Sequence, residues 1–150
     1  SAAEPASADV VTGVAPAKLP PEVRTAVAAA APDMQVTSAE RKERDGRIYY
    51  DVEGVRPDGS EMELDLLGEG GDFKVVEIQR DIPWAEAPES ARAAAAASPK
   101  AFEPVRVIES RQTDGSVIYE LFAEGAPEKP ALEVRVANGQ AEVLKEEWLH

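Results

Sequence analysis

Carboxylates are the most abundant side chains in this sequence that could support chemistry. The chain holds 29 aspartates and glutamates, one histidine and no cysteine. In "EMELDL", residues 61–66, carboxylates alternate with apolar side chains, and "YDVE", residues 50–53, alternates in the same way. Every second side chain of a strand points to the same face, so one face should gather the carboxylates of both segments. These are Asp51, Glu53, Glu61, Glu63 and Asp65.

Three readings fit these carboxylates: a solvated sheet face, a weak cation site, and an acid–base pair for hydrolysis. The segment "DGSEMELD" lacks the ligand spacing of an EF-hand loop. No long loop or insertion that could form a pocket accompanies the carboxylates, which disfavours the hydrolytic pair. The solvated face and the cation site stay open.

The single histidine is His150, the last residue of the sequence. A Ser–His–Asp triad needs a histidine held in place by its neighbours, and a zinc site needs several histidine or cysteine ligands. The sequence also has no phosphate loop, dinucleotide fingerprint or nucleophile elbow. We therefore predict that the chain is not an enzyme and has no catalytic residues, no metal site and no cofactor.

Two aromatic residues share a strand phase with charged residues. Tyr49 lies in phase with Asp51 and Glu53, and Phe122 lies in phase with Glu120. Aromatic side chains among charges on a wet sheet face are typical of interface anchors; partial cover by a neighbouring loop is the alternative. The candidate partner-binding residues are Tyr49, Asp51, Glu53, Glu63, Glu120 and Phe122.

The formal net charge of -13 restricts the class of partner. Phosphate binding needs clustered lysine and arginine, so nucleic acid is not an expected partner. No window approaches the apolar run of about 18 residues that a membrane helix needs, so membrane insertion is not expected either. The charge favours another protein with a basic surface.

Alanine-rich segments with prolines at their starts predict two helices. The first begins at Pro20–Pro21 and ends before Pro32, and the second lies within residues 82–99. Alternation and turn residues predict eight strands. These span residues 36–44, 47–56, 61–67, 72–80, 103–112, 116–124, 131–137 and 140–148. Ile48, Tyr50 and Tyr119 are in phase with apolar neighbours and are predicted to be core residues.

The second half of the sequence repeats the pattern of the first. Tyr50 and Tyr119 are 69 positions apart, and Leu64 and Val134 are 70 apart, which predicts one extra residue in the middle turn of the second copy. One α-β-β-β-β unit alone would be marginally stable. Two such units predict an α+β fold with antiparallel sheets, in which the helices pack on one face and the other face is open.

The repeat resembles the PepSY-like and beta-lactamase-inhibitor-protein-like group of bacterial envelope domains. The matching stretches are "LPPEV", "DGRIYYDVEG" and "DGSEMELDL". In the second copy, "EGAPEKPALEV" departs from the pattern because it lacks the second Asp-Gly. The resemblance implies exported proteins, often with tandem repeats, that bind other proteins through an open sheet face, and it supplies no catalytic residues.

These observations combine into one prediction of organisation and function. We expect a flexible lead-in over residues 1–18, a first PepSY-like repeat over 19–81 and a second over 82–150. The Ala-, Pro- and Ser-rich start fits a flexible lead-in, the sequence that remains after a signal peptide is removed, or an arbitrary boundary of the sequence. The resemblance implies a periplasmic or secreted location, with the signal peptide removed. The predicted function is a non-enzymatic protein-binding, inhibitory or regulatory module. The alternative is an envelope sensor that binds a cation or peptide through its acidic strands.

Overall fold

The computed structural model describes residues 9–145, 147 and 148. The described chain is an α+β protein with two α-helices and nine strands, and its paired strands are antiparallel. It divides into two compact units between Val76 and Glu77. The division falls inside a strand, whereas the sequence pattern placed it after Asp81.

The first unit begins with a strand, a short helix and a longer helix. These are β1 (Val10–Val14), a 3₁₀ helix (Pro16–Lys18) and α1 (Pro21–Ala30). The strands that follow are β2 (Gln35–Arg44), β3 (Arg47–Val55) and β4 (Glu61–Glu69), and β5 (Asp72–Asp81) passes from this unit into the second. The predicted helix start is confirmed, because Pro20 is the N-cap and Pro21 the first helical residue.

Strand β1 corrects the expectation of a flexible lead-in. It pairs antiparallel with β2, from Val10 opposite Glu43 to Val14 opposite Ala39. Val10 and Val11 are 55% and 51% exposed, so backbone pairing holds this strand more than burial does. The pairing is non-local, and no pattern inside residues 10–14 predicts it. Residues 1–8, the rest of the expected lead-in, lie outside the described residues.

The core of the first unit uses one face of β3 and β4. Tyr50 lies opposite Leu66 and Val52 lies opposite Leu64, and all four are buried. The Tyr50 ring meets the Phe73 ring edge-on, with ring centroids 5.3 Å apart. In α1, Val23 and Val27 are the buried residues, as their spacing of four predicts for one helix face.

The second unit begins with residues 77–81 of β5. A 3₁₀ helix (Trp84–Glu86), α2 (Glu89–Ala97), β6 (Arg106–Gln112), β7 (Val117–Phe122), β8 (Leu132–Ala137) and β9 (Gln140–Val143) follow. One hydrophobic cluster joins the helix to the sheet. Its members include Ala91 and Ala95 of α2 and, from the strands, Val107, Tyr119, Leu121, Leu132 and Val134.

A constant offset of 68 positions relates the first part of each unit. It carries the 3₁₀ helix Pro16–Lys18 onto Trp84–Glu86. It also carries Val23 onto Ala91, and both are fully buried. The strand pairing follows the same offset: Thr12 lies opposite Arg41 in the first unit, and Arg80 lies opposite Glu109 in the second. The offset therefore also relates β1 to the end of β5, the strands that precede the two helices. The predicted repeat did not include β1.

The later strands differ from the predicted alignment of the two halves. Tyr50 lies opposite Leu66, and Tyr119 lies opposite Val134, so Val134 takes the place of Leu66 rather than that of Leu64. Leu66 follows Tyr50 by 16 positions and Val134 follows Tyr119 by 15. The middle connection of the second unit is therefore one residue shorter, and the predicted extra residue is wrong.

Two further expectations need correction. Ile48 was expected in the core, but it lies at the hairpin end of β3 and is 36% exposed. The last strand was expected over residues 140–148, but β9 ends at Val143. The backbone N–H of Trp148, within the predicted strand range, instead donates to the Glu133 carboxylate Oε1 at 3.1 Å. The predicted burial of Tyr50 and Tyr119 is confirmed, because they are 6% and 3% exposed.

Candidate functional site

On the face of the first unit opposite its buried tyrosine, where Arg44 lies opposite Arg47 and Val55 lies opposite Glu61, the registers of β2, β3 and β4 bring nine further side chains together. They form three rows of directly opposite residues: Lys42, Tyr49 and Leu67; Glu40, Asp51 and Asp65; Ser38, Glu53 and Glu63. We call the five carboxylates in these rows the acidic face: Glu40, Asp51, Glu53, Glu63 and Asp65. Alternation predicted that four of them share a face, and the register adds Glu40 and Lys42 from β2.

Like charges lie directly opposite each other across the acidic face. Asp51 is opposite Asp65, and Glu53 is opposite Glu63. Directly opposite like charges destabilise an antiparallel pair. The arrangement therefore holds negative charge in place at a cost in stability, which a bound cationic group would relieve.

One lysine balances part of this charge. The Lys42 ammonium forms a salt bridge with the Asp51 carboxylate. Burial alone would lower the pKa of Lys42, but the hydrogen bond to Asp51 and the charges of Asp51, Asp65 and Glu40 outweigh it and raise the pKa above its ordinary value. Lys42 therefore stays charged at neutral pH and belongs to the electrostatics of the site.

Three carboxylates of the acidic face are close enough to share a cation. Asp51, Glu63 and Asp65 each offer an oxygen, and these oxygens lie within 4.8 Å of one another. All three residues are half-buried. Carboxylate oxygens are ligands for hard cations such as Ca²⁺, which takes six to eight oxygens. The group could supply part of such a shell, in competition with the Lys42 ammonium at Asp51.

Four of the six predicted partner-binding residues lie on the face of the first unit opposite its buried tyrosine. Tyr49 is half-buried between Lys42 and Leu67, and Asp51, Glu53 and Glu63 follow it across the rows. Tyr49 thus offers one partly exposed ring at the border of the acidic face. This position suits an anchor next to steering charges.

The other two predicted residues, Glu120 and Phe122, lie on β7 in the second unit. Their expected exposure is wrong, because Glu120 is 8% exposed and Phe122 is 5% exposed. The Arg106 guanidinium lies over the Phe122 ring, 5.6 Å from its centroid. Alternation correctly predicted that both side chains lie on the side of β7 opposite Tyr119. It could not show that both faces of β7 are buried.

The second unit also contains a buried polar network that the sequence did not reveal. The Ser110 hydroxyl donates to Glu77 Oε2 at 2.7 Å, and the Gln112 amide donates to the same oxygen at 2.8 Å. The Gln79 amide donates to Glu77 Oε1 at 3.0 Å. Hydrogen bonds of this kind offset the cost of burying Glu77. These residues lie on β5 and β6, so only the strand pairing brings them together.

A second cluster missed by the sequence surrounds Glu109, which is 4% exposed. Arg80 Nε donates to Glu109 Oε1 at 2.7 Å, and Arg111 Nε donates to the same oxygen at 3.0 Å. Burial alone would raise the pKa of Glu109, but the two arginines outweigh it and lower the pKa below its ordinary value. Burial and the charge of Glu109 raise the pKa of the neighbouring Tyr119. In the first unit, Arg41 takes the place of Glu109 and Glu43 takes the place of Arg111, so the two charges are reversed.

Two expectations from the sequence concern the membrane and the histidine. Neither α1 nor α2, the helices of the described chain, has the length and apolar character needed to cross a bilayer. His150 lies outside the described residues.

The candidate site consists of the acidic face, Tyr49 and Lys42.

Comparison of the chain with models of protein families, with curated proteins and with solved structures gives no match. The resemblance to the PepSY-like and beta-lactamase-inhibitor-protein-like group therefore rests on the sequence stretches alone. The geometry of the candidate site is the basis for a functional proposal.

Proposed function

We propose that the chain is a non-enzymatic, exported protein-binding module, made of two tandem α-β-β-β-β repeats, that binds a partner with a basic surface through the acidic face. Tyr49 is the anchor, and Asp51, Glu53 and Glu63 attract the partner. The export and the inhibitory or regulatory role come from the resemblance to bacterial envelope domains. The constant offset of 68 positions between the units supports the proposed repeat.

The observation that carries the proposal is the pair of like-charge contacts across β3 and β4. Asp51 opposite Asp65 and Glu53 opposite Glu63 are like-charge pairs, of the kind that disfavours an antiparallel sheet. Residues kept at a cost in stability are typical of functional sites. A cationic partner would remove the repulsion on binding, and the negative field would speed its approach.

A pull-down from bacterial envelope extract with matched charge variants tests the proposal. Glu53→Gln with Glu63→Gln removes two charges from the acidic face. Glu103→Gln with Glu128→Gln removes two exposed charges elsewhere and is the control. We expect the first variant to lose most of the captured protein and the control to keep it. Capture should also weaken as salt is raised from 50 to 300 mM, because salt screens exposed charges.

Titration of the captured partner then measures the role of the aromatic ring. Tyr49→Ala should weaken binding by about 1–3 kcal/mol with little change in melting temperature. Equal binding by the wild type, the Glu53/Glu63 variant and Tyr49→Ala would show that the acidic face is not the binding surface. Phe122→Ala should instead lower stability, because its ring is buried.

A cation sensor is the second candidate, because three carboxylate oxygens lie within 4.8 Å in the cluster of Asp51, Glu63 and Asp65. Calorimetric titration with Ca²⁺ separates the two candidates. A sensor should release or absorb heat that Asp65→Asn abolishes, and Lys42→Gln should strengthen binding by removing the competing ammonium. A protein interface alone should give no heat with Ca²⁺.

A further inference from the structure

A groove of about 560 Å³ lies in the second unit. Three separate segments form it: the loop after α2, the connection between β7 and β8, and the chain after β9. Each segment contributes one lysine: Lys100, Lys129 and Lys145. The volume is within the range of pockets that bind small molecules.

The charge of the groove is opposite to that of the whole chain. The sequence has a net charge of -13 and only six lysines, and three of them line this one groove. Within the described part of the chain, none of the three forms a salt bridge with another residue. Lysines that line one groove offer several ammonium donors to an anionic group.

Two glutamates also line the groove, but they do not reverse its charge. Glu133 is 5% exposed, and its carboxylate accepts a hydrogen bond from the Trp148 backbone N–H. Glu147 is exposed. The C-terminal end of α2 adds a partial negative charge, which Lys100 offsets because it follows the helix by three residues. Among the lining residues that the structure describes, the three lysines therefore outnumber the two glutamates.

Apolar residues, among them two prolines, make up much of the remaining lining, beside Ser98 and the two glutamates. Pro99, Pro130, Leu132, Val143 and Leu144 are among its lining residues. Two of the lysines have a proline neighbour, since Pro99 precedes Lys100 and Pro130 follows Lys129. The fixed φ angle of proline reduces the freedom of both loops. The groove thus combines three lysines with apolar lining residues, on loops that contain proline.

We propose that this groove binds a small anionic ligand with an apolar body, a carboxylate that carries a hydrocarbon chain. The ammonium groups bind the carboxylate, and the apolar residues cover the chain. The inference goes beyond the proposed protein-binding function, because it concerns the other unit and a ligand of the opposite charge. The two proposals can fail independently.

Titration with decanoate, followed by NMR of the labelled protein, tests the site. The amide signals of Ala131, Leu132 and Leu144 should shift as decanoate binds. Lys100→Gln with Lys129→Gln should weaken the affinity about tenfold, equal to about 1.4 kcal/mol. The control is Lys18→Gln with Lys74→Gln, which makes the same charge change with exposed lysines of the first unit and should keep the affinity.

Two further ligands, a neutral alcohol and a peptide, decide the ligand chemistry. The neutral 1-decanol should bind far more weakly than decanoate, because it lacks the charge that the lysines recognise. Equal affinity of both lysine variants for decanoate, or equal binding of decanol, would overturn the proposal. Binding of an apolar peptide through its free C-terminal carboxylate, without binding of decanoate, would also overturn it in favour of a peptide site.

Discussion

At the scale of single residues, the same position in each unit holds a charged pair of opposite polarity beside a buried tyrosine. In the first unit Arg41 binds Glu43 at 2.7 Å. In the second, Glu109 takes the place of Arg41 and Arg111 takes the place of Glu43. The two members of each pair are two residues apart on the same strand, so both contacts are local. Glu109 has a further ion pair, with Arg80.

The lowered pKa of Glu109 predicts how stability depends on pH. In the unfolded chain the carboxyl titrates near its usual 4.5, and in the folded chain it titrates lower. Its stabilisation is therefore fully present above pH 4.5 and is lost as the pH falls through the folded pKa. Glu109→Gln should cost about 2 kcal/mol at pH 7, and urea unfolding at pH 7 and pH 3 should show the cost shrinking in acid. The exposed Glu103→Gln is the control, and an equal cost at both pH values would contradict the prediction.

The sequence predicted the phase of individual side chains better than their exposure. Tyr50 and Tyr119 were correctly placed in the core, because they alternate with apolar neighbours. Phe122 was wrongly placed on an exposed surface, because alternation cannot show what covers the second face of a strand. Lys42 joins the candidate site only through the register of β2 with β3.

At the scale of elements, the hairpin turns were predictable because their chemistry is local. Asp45 and Gly46 have φ angles of 51° and 75°, which suits the short Asp-Gly turn between β2 and β3. The 3₁₀ helices and β1 were not predicted. Strand β1 depends on its pairing with β2, a contact far away in the sequence.

Gly54, a buried residue of β3, provides a test of packing between β3 and the segment before β2. A Cβ at position 54 would lie 2.6 Å from Met34 Cγ and would also collide with the backbone oxygen of Gln35. Because a backbone atom cannot easily move aside, Gly54→Ala should lower the free energy of unfolding by about 1–3 kcal/mol. Gly13→Ala is the control, since a Cβ there meets nothing within 4 Å. Equal stability of the two variants in urea would contradict this packing.

At the scale of the whole molecule, the distribution of charge matters more than its sum. The net charge of -13 does not show how the charges are distributed. The first unit has an acidic face, and the second has a groove lined by lysines. The sequence predicted the acidic strands and missed the groove, because its lysines lie in three loops separated along the chain. The α+β class followed from local patterns, whereas the division inside β5 did not.

The net charge predicts the response of stability to salt. Self-repulsion of a strongly acidic chain opposes the compact state, and salt screens that repulsion over about 10 Å at 0.1 M. The melting temperature should therefore rise between 10 and 200 mM NaCl and then level off. Calorimetric scans in NaCl and in an equal osmolality of sucrose separate screening from solute exclusion. A melting temperature that falls in NaCl would show that attractive ion pairs outweigh the repulsion.

The reversed polarity of the charged pairs would oppose one kind of misfolding, the exchange of strands between the two units. Under the proposed repeat, β2 and β6 would be equivalent strands, and exchange between equivalent strands is a known failure of repeated structures. If β2 took the place of β6, Arg41 would occupy the position of Glu109, opposite Arg80. Two arginines would then face each other where the native fold has an ion pair. Under the proposed repeat, the charge reversal would therefore favour each strand in its own unit.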